Sequence, residues 1–279
     1  MVYTICSGSK AMGRVICICN QKGGVGKTTT AVNLASCLAL SERSILLIDL
    51  DPQANASSGL GFHLSLGEPS VYELLLGGVG PKHLVRSCAL EMLDLIPSSQ
   101  DLIGAEVELV TIDGREKFLS KAIKEIRSSY DYIFIDCPPS LGLLTLNALV
   151  ASDSVLVPIQ CEYYALEGVG NLLNTIKRVQ FSLNKLLKIE GFLLTMFDPR
   201  NNLSHQVEQD VRQNLRGKVF ETIIPRNVKL SESPSFGKPV ALYDITSRGA
   251  MSYFALAKEI MNADADRFGE KTYGIGAGS

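Results

Sequence analysis

Short, nearly unbroken apolar runs recur along the chain at 14–20 (RVICICN), 44–50, 92–97, 131–136, 153–159, 188–197 and 219–224. Each reads as a strand. Between them the apolar positions change period: Ala31, Leu34, Ala35 and Leu38 fall at i, i+3, i+4 and i+7. The same helical spacing returns in Phe118, Leu119, Ala122, Ile123 and Ile126, and again in Leu166, Val169, Leu172, Leu173 and Ile176. Such spacing gathers apolar side chains onto one face of a helix. Strands alternating with helices predict an α/β fold, a mostly parallel twisted sheet with helices on both faces. Ligands of such sheets bind beyond the carboxyl ends of the strands.

Composition narrows this picture. At 279 residues and 46% hydrophobic content the chain can build a sizeable core. No linker, charge block or internal repeat divides it, so one domain over 13–263 is expected. Residues 1–12 read as a flexible extension and the glycine-rich 264–279 as a flexible tail. The seven cysteines include Cys17 and Cys19 in a strand-like run and Cys37 in a helix-like one, positions where thiols pack as small hydrophobes. With no C-x-x-C and with His63, His83 and His205 scattered, a zinc centre is not expected. The cysteine usage points to the cytoplasm, and no run reads as a secretory signal or membrane span.

Candidate chemistry concentrates in "NQKGGVGKTTT" (20–30), between the first strand and the first helix. A glycine-rich turn ending in Gly-Lys-Thr aims successive backbone N–H groups, and the positive end of the following helix, at an anion. Here that is Gly23, Gly24, Val25, Gly26, Lys27, Thr28 and Thr29. Lys27 would sit against the β- and γ-phosphates of a nucleotide, and the Thr28 hydroxyl would bind Mg²⁺. Strict G-x-x-x-x-G-K-[ST] spacing fails, because Gln21 stands where the first glycine would be. Lys22 is an extra cation at the start of the loop. It admits two readings: a solvated surface lysine, or a cation offered to a second subunit's nucleotide.

Three aspartates end strands at the same edge. Asp49 and Asp51, two apart after "SILLI", would point the same way if extended. Asp136, after "YIFI", suits a carboxylate holding Mg²⁺ through water. One strand-end aspartate is usually a cap or turn former; three beside a phosphate loop point to phosphate chemistry.

"KGGVGKTT" resembles the deviant Walker A motif of the ParA/MinD family of ATPases. "LLIDLDPQANAS" (46–57), "YIFIDCPPSLGLLTLNAL" (132–149), "EYYALEG" (162–168) and "IPRNVKLSESPSFGKPV" (224–240) are similar to the chromosome-partitioning ParA/Soj branch, in that branch's order. The resemblance implies a single-domain P-loop ATPase using ATP and Mg²⁺, with Lys22 reaching across an ATP-sandwich homodimer. It implies that Asp51 orients the attacking water and that Asp49 partners the metal or its water. Met196, Pro225, Arg226 and Asn227 would flank the adenine. It further implies non-specific binding to double-stranded DNA, a nucleoid-associated location, and reset by a ParB-like centromere-binding partner.

Charge fits this last expectation. Residues 200–248 carry a net +3 against −4 for residues 1–199. Arg200, Lys229, Lys238 and Arg248 are therefore the candidate contacts to DNA phosphates. A MinD-like membrane ATPase is the alternative, but it would end in a basic amphipathic helix, which the glycine-rich tail does not offer. An iron–sulfur carrier would need paired cysteines. A tyrosine autokinase would carry a terminal tyrosine cluster, where only Tyr273 stands, and a non-catalytic DNA scaffold would not need Lys27, Asp51 and Asp136 together.

Overall fold

The computed structural model describes residues 12–65, 67–163, 165–215 and 217–268. Its frame is a seven-stranded sheet: β1 (Arg14–Ile18), β2 (Ile45–Asp49), β3 (Arg86–Ser87), β4 (Leu93–Ile96), β5 (Tyr132–Asp136), β6 (Ser154–Gln160) and β7 (Lys188–Thr195). The spatial order is β3-β4-β2-β5-β1-β6-β7, and every pairing is parallel except β3 with β4. β1, β2 and β5 lie inside the sheet with residues of both faces buried, hence their continuous rather than alternating apolar runs. Each fully covered aliphatic side chain there contributes about 2 kcal/mol.

Two cores flank the sheet. Val15, Cys17 and Cys19 face one, beneath the helices Phe118–Lys124, Leu143–Ala151, Glu167–Ser182 and Asn202–Asn214. Ile16 and Ile18 face the other, beneath α1 (Lys27–Leu40) and the last helix, Arg248–Phe268. The register sets Ile18 beside Asp136 and Asp49 beside Asp136, so β1, β2 and β5 end together and open one crevice.

Two boundaries differ from expectation. The run 219–224 does not form a strand. Only isolated bonds tie it to β7: Phe192 N donates to Lys218 O, Phe220 N to Phe192 O and Ile224 N to Leu194 O. The Phe220 ring fills the space where a Cβ on Gly191 would lie, and Pro225 has no N–H with which to continue a ladder. The tail expected from 264 instead begins inside the last helix. Asp264 is nearly buried there; it pairs with Arg14 and accepts a 2.6 Å hydrogen bond from the Tyr132 hydroxyl. The rest of the expected tail, 269–279, and nearly all of the expected extension, 1–11, lie outside the described residues. None of the described helices is long and apolar enough to cross a membrane.

Candidate nucleotide site

The loop after β1 turns through two left-handed glycines, Gly24 (φ 73°) and Gly26 (φ 84°), and α1 starts at Lys27. A Cβ on Gly24 would meet nothing, and one on Gly26 would only touch Thr195, so backbone conformation rather than space is what requires glycine. Val25 contributes main chain alone: its side chain is buried, and its carbonyl accepts 2.9 Å from Thr195 Oγ1 at the end of β7.

Lys27 is buried, and its Nζ donates 3.1 Å to the carbonyl of Lys22. Burial pushes its ammonium below the ordinary lysine range, against the pull of Asp136. A cation so placed stays charged most readily when phosphates share its pocket. Lys22 behaves differently. Its main chain faces Lys27, while its half-exposed ammonium turns outward to Glu162, 3.4 Å away.

Asp136 is fully buried, and neither carboxylate oxygen has a hydrogen-bond partner. Burial, then the charge of Asp49, pushes its pKa well up; the Thr28 hydroxyl acts the other way but closes no bond of ordinary geometry. A buried orphan carboxylate beside the loop is what a hard cation would satisfy. Among the described residues no trio of His, Cys, Asp or Glu could hold a metal by itself, which fits Mg²⁺ drawing its other oxygens from phosphate and water.

β2 ends at Asp49, Leu50 N still donates to Asp136 O, and the charges of Asp49 and Asp51 both bear on Asp136. Asp49 accepts from Ser57 Oγ (2.7 Å), Ser57 N (2.8 Å) and Asp51 N (3.2 Å). Burial still raises its pKa to about 6. Asp49 thus braces the short helix Asn55–Gly59, a role that competes with the expected contact to the metal. Asp51 is nearly buried, and its Oδ1 accepts from Gln53 N at 3.0 Å. Its carbonyl is held by Ser98 Oγ at 2.7 Å.

The four expected base-flanking residues come together. Met196, Pro225, Arg226 and Asn227 line one cavity of about 450 Å³ whose other wall includes Gly26 and Thr29 of the loop. Met196 leaves β7 in the left-handed region (φ 53°), a conformation that costs about 1 kcal/mol or more for such a side chain. Asn227 caps the helix Val228–Glu232, its Oδ1 accepting from Lys229 N at 3.0 Å. Its amide N–H groups are what remain for a ligand. Thr195, Leu230 and Tyr253 also line the cavity and were not expected; only Thr195, next to Met196 at a strand end, carried a sequence signal.

Of the four candidate DNA contacts, Arg200, Lys238 and Arg248 are exposed and Lys229 is half-buried. Two are already balanced within the chain. Arg200 bonds Asp198 through both Nε (3.0 Å) and an Nη (2.9 Å), holding that carboxyl down to about 2. Lys229 Nζ lies 2.9 Å from Glu232 and over the Tyr243 ring. Lys238 borders a separate recess with Thr28, Asn33 and Asn55. No partner is seen for Arg248 among the described residues.

Residues 13–189 match the model of a family described as an AAA domain. The chain is 56% identical over 260 residues to the chromosome partitioning protein ParA of Myxococcus xanthus, spanning 93% of this chain and 92% of that one. It is 55% identical over 249 residues to the sporulation initiation inhibitor protein Soj of Bacillus subtilis, spanning 89% and 98%. Among solved structures it is similar to a cobyrinic acid a,c-diamide synthase from Mycobacterium smegmatis with bound ADP and magnesium. That match has a TM-score of 0.79 and 37% identity, covering 94% of this chain and 98% of that chain.

Proposed function

Because this chain belongs to the ParA/Soj family of chromosome-partitioning ATPases, we propose that it hydrolyses ATP with Mg²⁺ at the crevice above β1, β2 and β5, as a switch controlling DNA attachment. The loop amides and Lys27 hold the phosphates. Thr28 and Asp136 hold Mg²⁺, which when bound offsets charge on the β- and γ-phosphates. Asp51 orients the attacking water. Met196, Pro225, Arg226 and Asn227 hold the adenine.

ATP gathers two subunits face to face, each lending Lys22 to the other's γ-phosphate. The observation that carries this is the division of labour at Lys22, main chain inward to Lys27 and ammonium outward at the rim. A lysine so turned is poorly placed for its own nucleotide and well placed for a neighbour's. Two triphosphates facing across a water-poor interface repel, and one cation from each side offsets that repulsion.

The ATP dimer binds double-stranded DNA without regard to sequence, through Arg200, Lys229, Lys238 and Arg248 of both subunits. A ParB-like partner stimulates hydrolysis and resets the cycle, so the protein works on the nucleoid in the cytoplasm. Mixing subunits tests the core of this reading. Lys22→Ala alone should bind ATP but neither hydrolyse it nor dimerise stably. Pairing it with Lys27→Ala places the only nucleotide opposite an intact Lys22, and that composite site should recover hydrolysis. Normal turnover by Lys22→Ala alone would sink the role in trans.

A further inference from the structure

Asp51 is held by bonds of two kinds. Its N–H donates to Asp49 Oδ1 at 3.2 Å, its carbonyl accepts from Ala54 N at 2.9 Å, and its Oδ1 accepts from Gln53 N at 3.0 Å. These partners all lie within residues 49–54. The last ladder bond before Asp51 is Leu50 N to Asp136 O; beyond it, the three local bonds shape the turn without tying it to a neighbouring element. A fourth bond does that. Ser98 Oγ, two residues past the end of β4, donates to the Asp51 carbonyl at 2.7 Å.

The strand ends account for Ser98 being there. β4 runs beside β2 with Ile96 level with Ile48, and both strands stop within one residue of that pair. Pro97 has no N–H with which to continue a ladder, and its carbonyl is taken by Val71 N. Where the ladder fails, Ser98 supplies two ties: its N–H donates to Ser57 Oγ at 3.0 Å, and its hydroxyl takes the Asp51 carbonyl. Ser57 Oγ in turn donates to Asp49 Oδ2 at 2.7 Å. Asp49, Asp51, Ser98 and Ser57 therefore close a hydrogen-bonded ring, and all four residues are buried. A buried polar network with its members satisfied holds one geometry.

The fold does not need the Ser98 hydroxyl to satisfy that carbonyl. Ala54 N already bonds the oxygen, which has lone pairs for two donors, so removing the hydroxyl strands no buried acceptor. What the second donor adds is place. With Oδ1 held by Gln53 N, Asp51 Oδ2 has no partner among the described residues and is the oxygen left for a water. Where that oxygen sits depends on how the turn is fixed against the sheet, and a misplacement of about 1 Å can cost about a hundredfold in rate.

We propose that Ser98 is a positioning residue for ATP hydrolysis: it anchors the Asp51 turn to the end of β4, so that the free carboxylate oxygen meets the attacking water. Ser57 is the link that locks Ser98 to Asp49. The proposal rests on the reading of Asp51 above. Through it β4, which supplies none of the ligating groups of the proposed site, helps to set the geometry of the reaction.

Single-turnover hydrolysis at saturating ATP and Mg²⁺, run with Ser98→Ala, Ser98→Thr and Asp51→Ala side by side, tests it. Ser98→Ala should turn over about tenfold more slowly than wild type, a smaller loss than that of Asp51→Ala. Its ATP affinity by calorimetry should stay within about twofold, and its melting temperature should hardly move. Ser98→Thr, which keeps the hydroxyl, should recover most of the rate. Amide hydrogen exchange should quicken in Ser98→Ala over residues 51–54 and nowhere else, and this readout decides the matter if the threonine methyl does not fit. Ser98→Cys, of similar size but a weak donor, takes the place of Ser98→Ala if that variant does not fold. Normal turnover by Ser98→Ala beside an inactive Asp51→Ala would overturn the positioning role and leave the reading of Asp51 standing. Normal turnover by Asp51→Ala would remove that reading and the proposal with it. A loss of ATP affinity matching the loss of rate, or faster exchange throughout the core, would make Ser98 a structural residue and also overturn the proposal.

Discussion

The proposed phosphate and base ends of the crevice are built on different plans. At the phosphate end, one unbroken stretch, Lys22 to Thr29, supplies the loop, its cation and the helix start, and the strand ends add Asp51 and Asp136. At the base end, the wall comes from three distant places: Thr195 and Met196 after β7, Ile224 to Leu230, and Tyr253 in the last helix. The first is polar and charged, with Lys27, Asp51 and Asp136 buried; the second is largely apolar and shaped by packing. Charge at fixed spacing makes chemistry local, whereas a shaped apolar wall must be assembled by the whole fold.

The sharpest break of this contrast is Lys27→Ala. The phosphates lose the buried cation of the loop while the desolvated carboxylates stay, so ATP affinity should fall about a hundredfold or more by calorimetry. Unchanged affinity would show that the loop does not hold phosphate. Asp51→Ala comes next and should leave binding intact while turnover drops by about two orders of magnitude. Size-exclusion chromatography with ATP should then show a persistent dimer; a monomer with normal turnover contradicts the role.

Smaller effects belong to the base end. Asn227→Asp keeps an acceptor for the Lys229 N–H and therefore keeps the helix cap, but removes the amide donor. ATP should bind about five- to tenfold more weakly at almost unchanged thermal stability. Asn227→Ala should show the same affinity loss together with about 1 kcal/mol of destabilisation. Equal stability of the two variants would mean that the cap contributes nothing. Smallest is Thr195→Val, which leaves the buried Val25 carbonyl without its donor. About 1 kcal/mol of stability should be lost by chemical denaturation, with ATP affinity reduced only a few-fold.

The same contrast explains what could be read from the chain. β1, β2, β4, β5, β6 and β7 were legible because buried parallel strands are continuous apolar runs, and α1 because its stripe follows the glycine turn. The two-residue β3 has no room for a pattern. The run 219–224 is as apolar as a strand, yet its backbone is diverted by the Phe220 ring and by Pro225. At Asp49 the spacing gives a position at a strand end but not the partners: Oδ2 accepts from Ser57 N and Oγ, and Oδ1 from Asp51 N, contacts with no local signal in the chain. Tyr253 had no local signal at all.

Tyr253 also has a consequence for precision. It is fully buried between the last helix and α1, where its hydroxyl and that of Thr30 lie 3.2 Å apart in otherwise apolar surroundings. Apolar side chains alone tolerate many offsets between two helices at similar energy. A hydroxyl pair does not, since any slide that parts them strands two polar groups in a dry space at about 1–3 kcal/mol each. The pair therefore works as an alignment pin: it indexes the wall of the base cavity to the helix that begins at the phosphate loop, so that the distance between the two ends of the crevice is fixed before any nucleotide arrives.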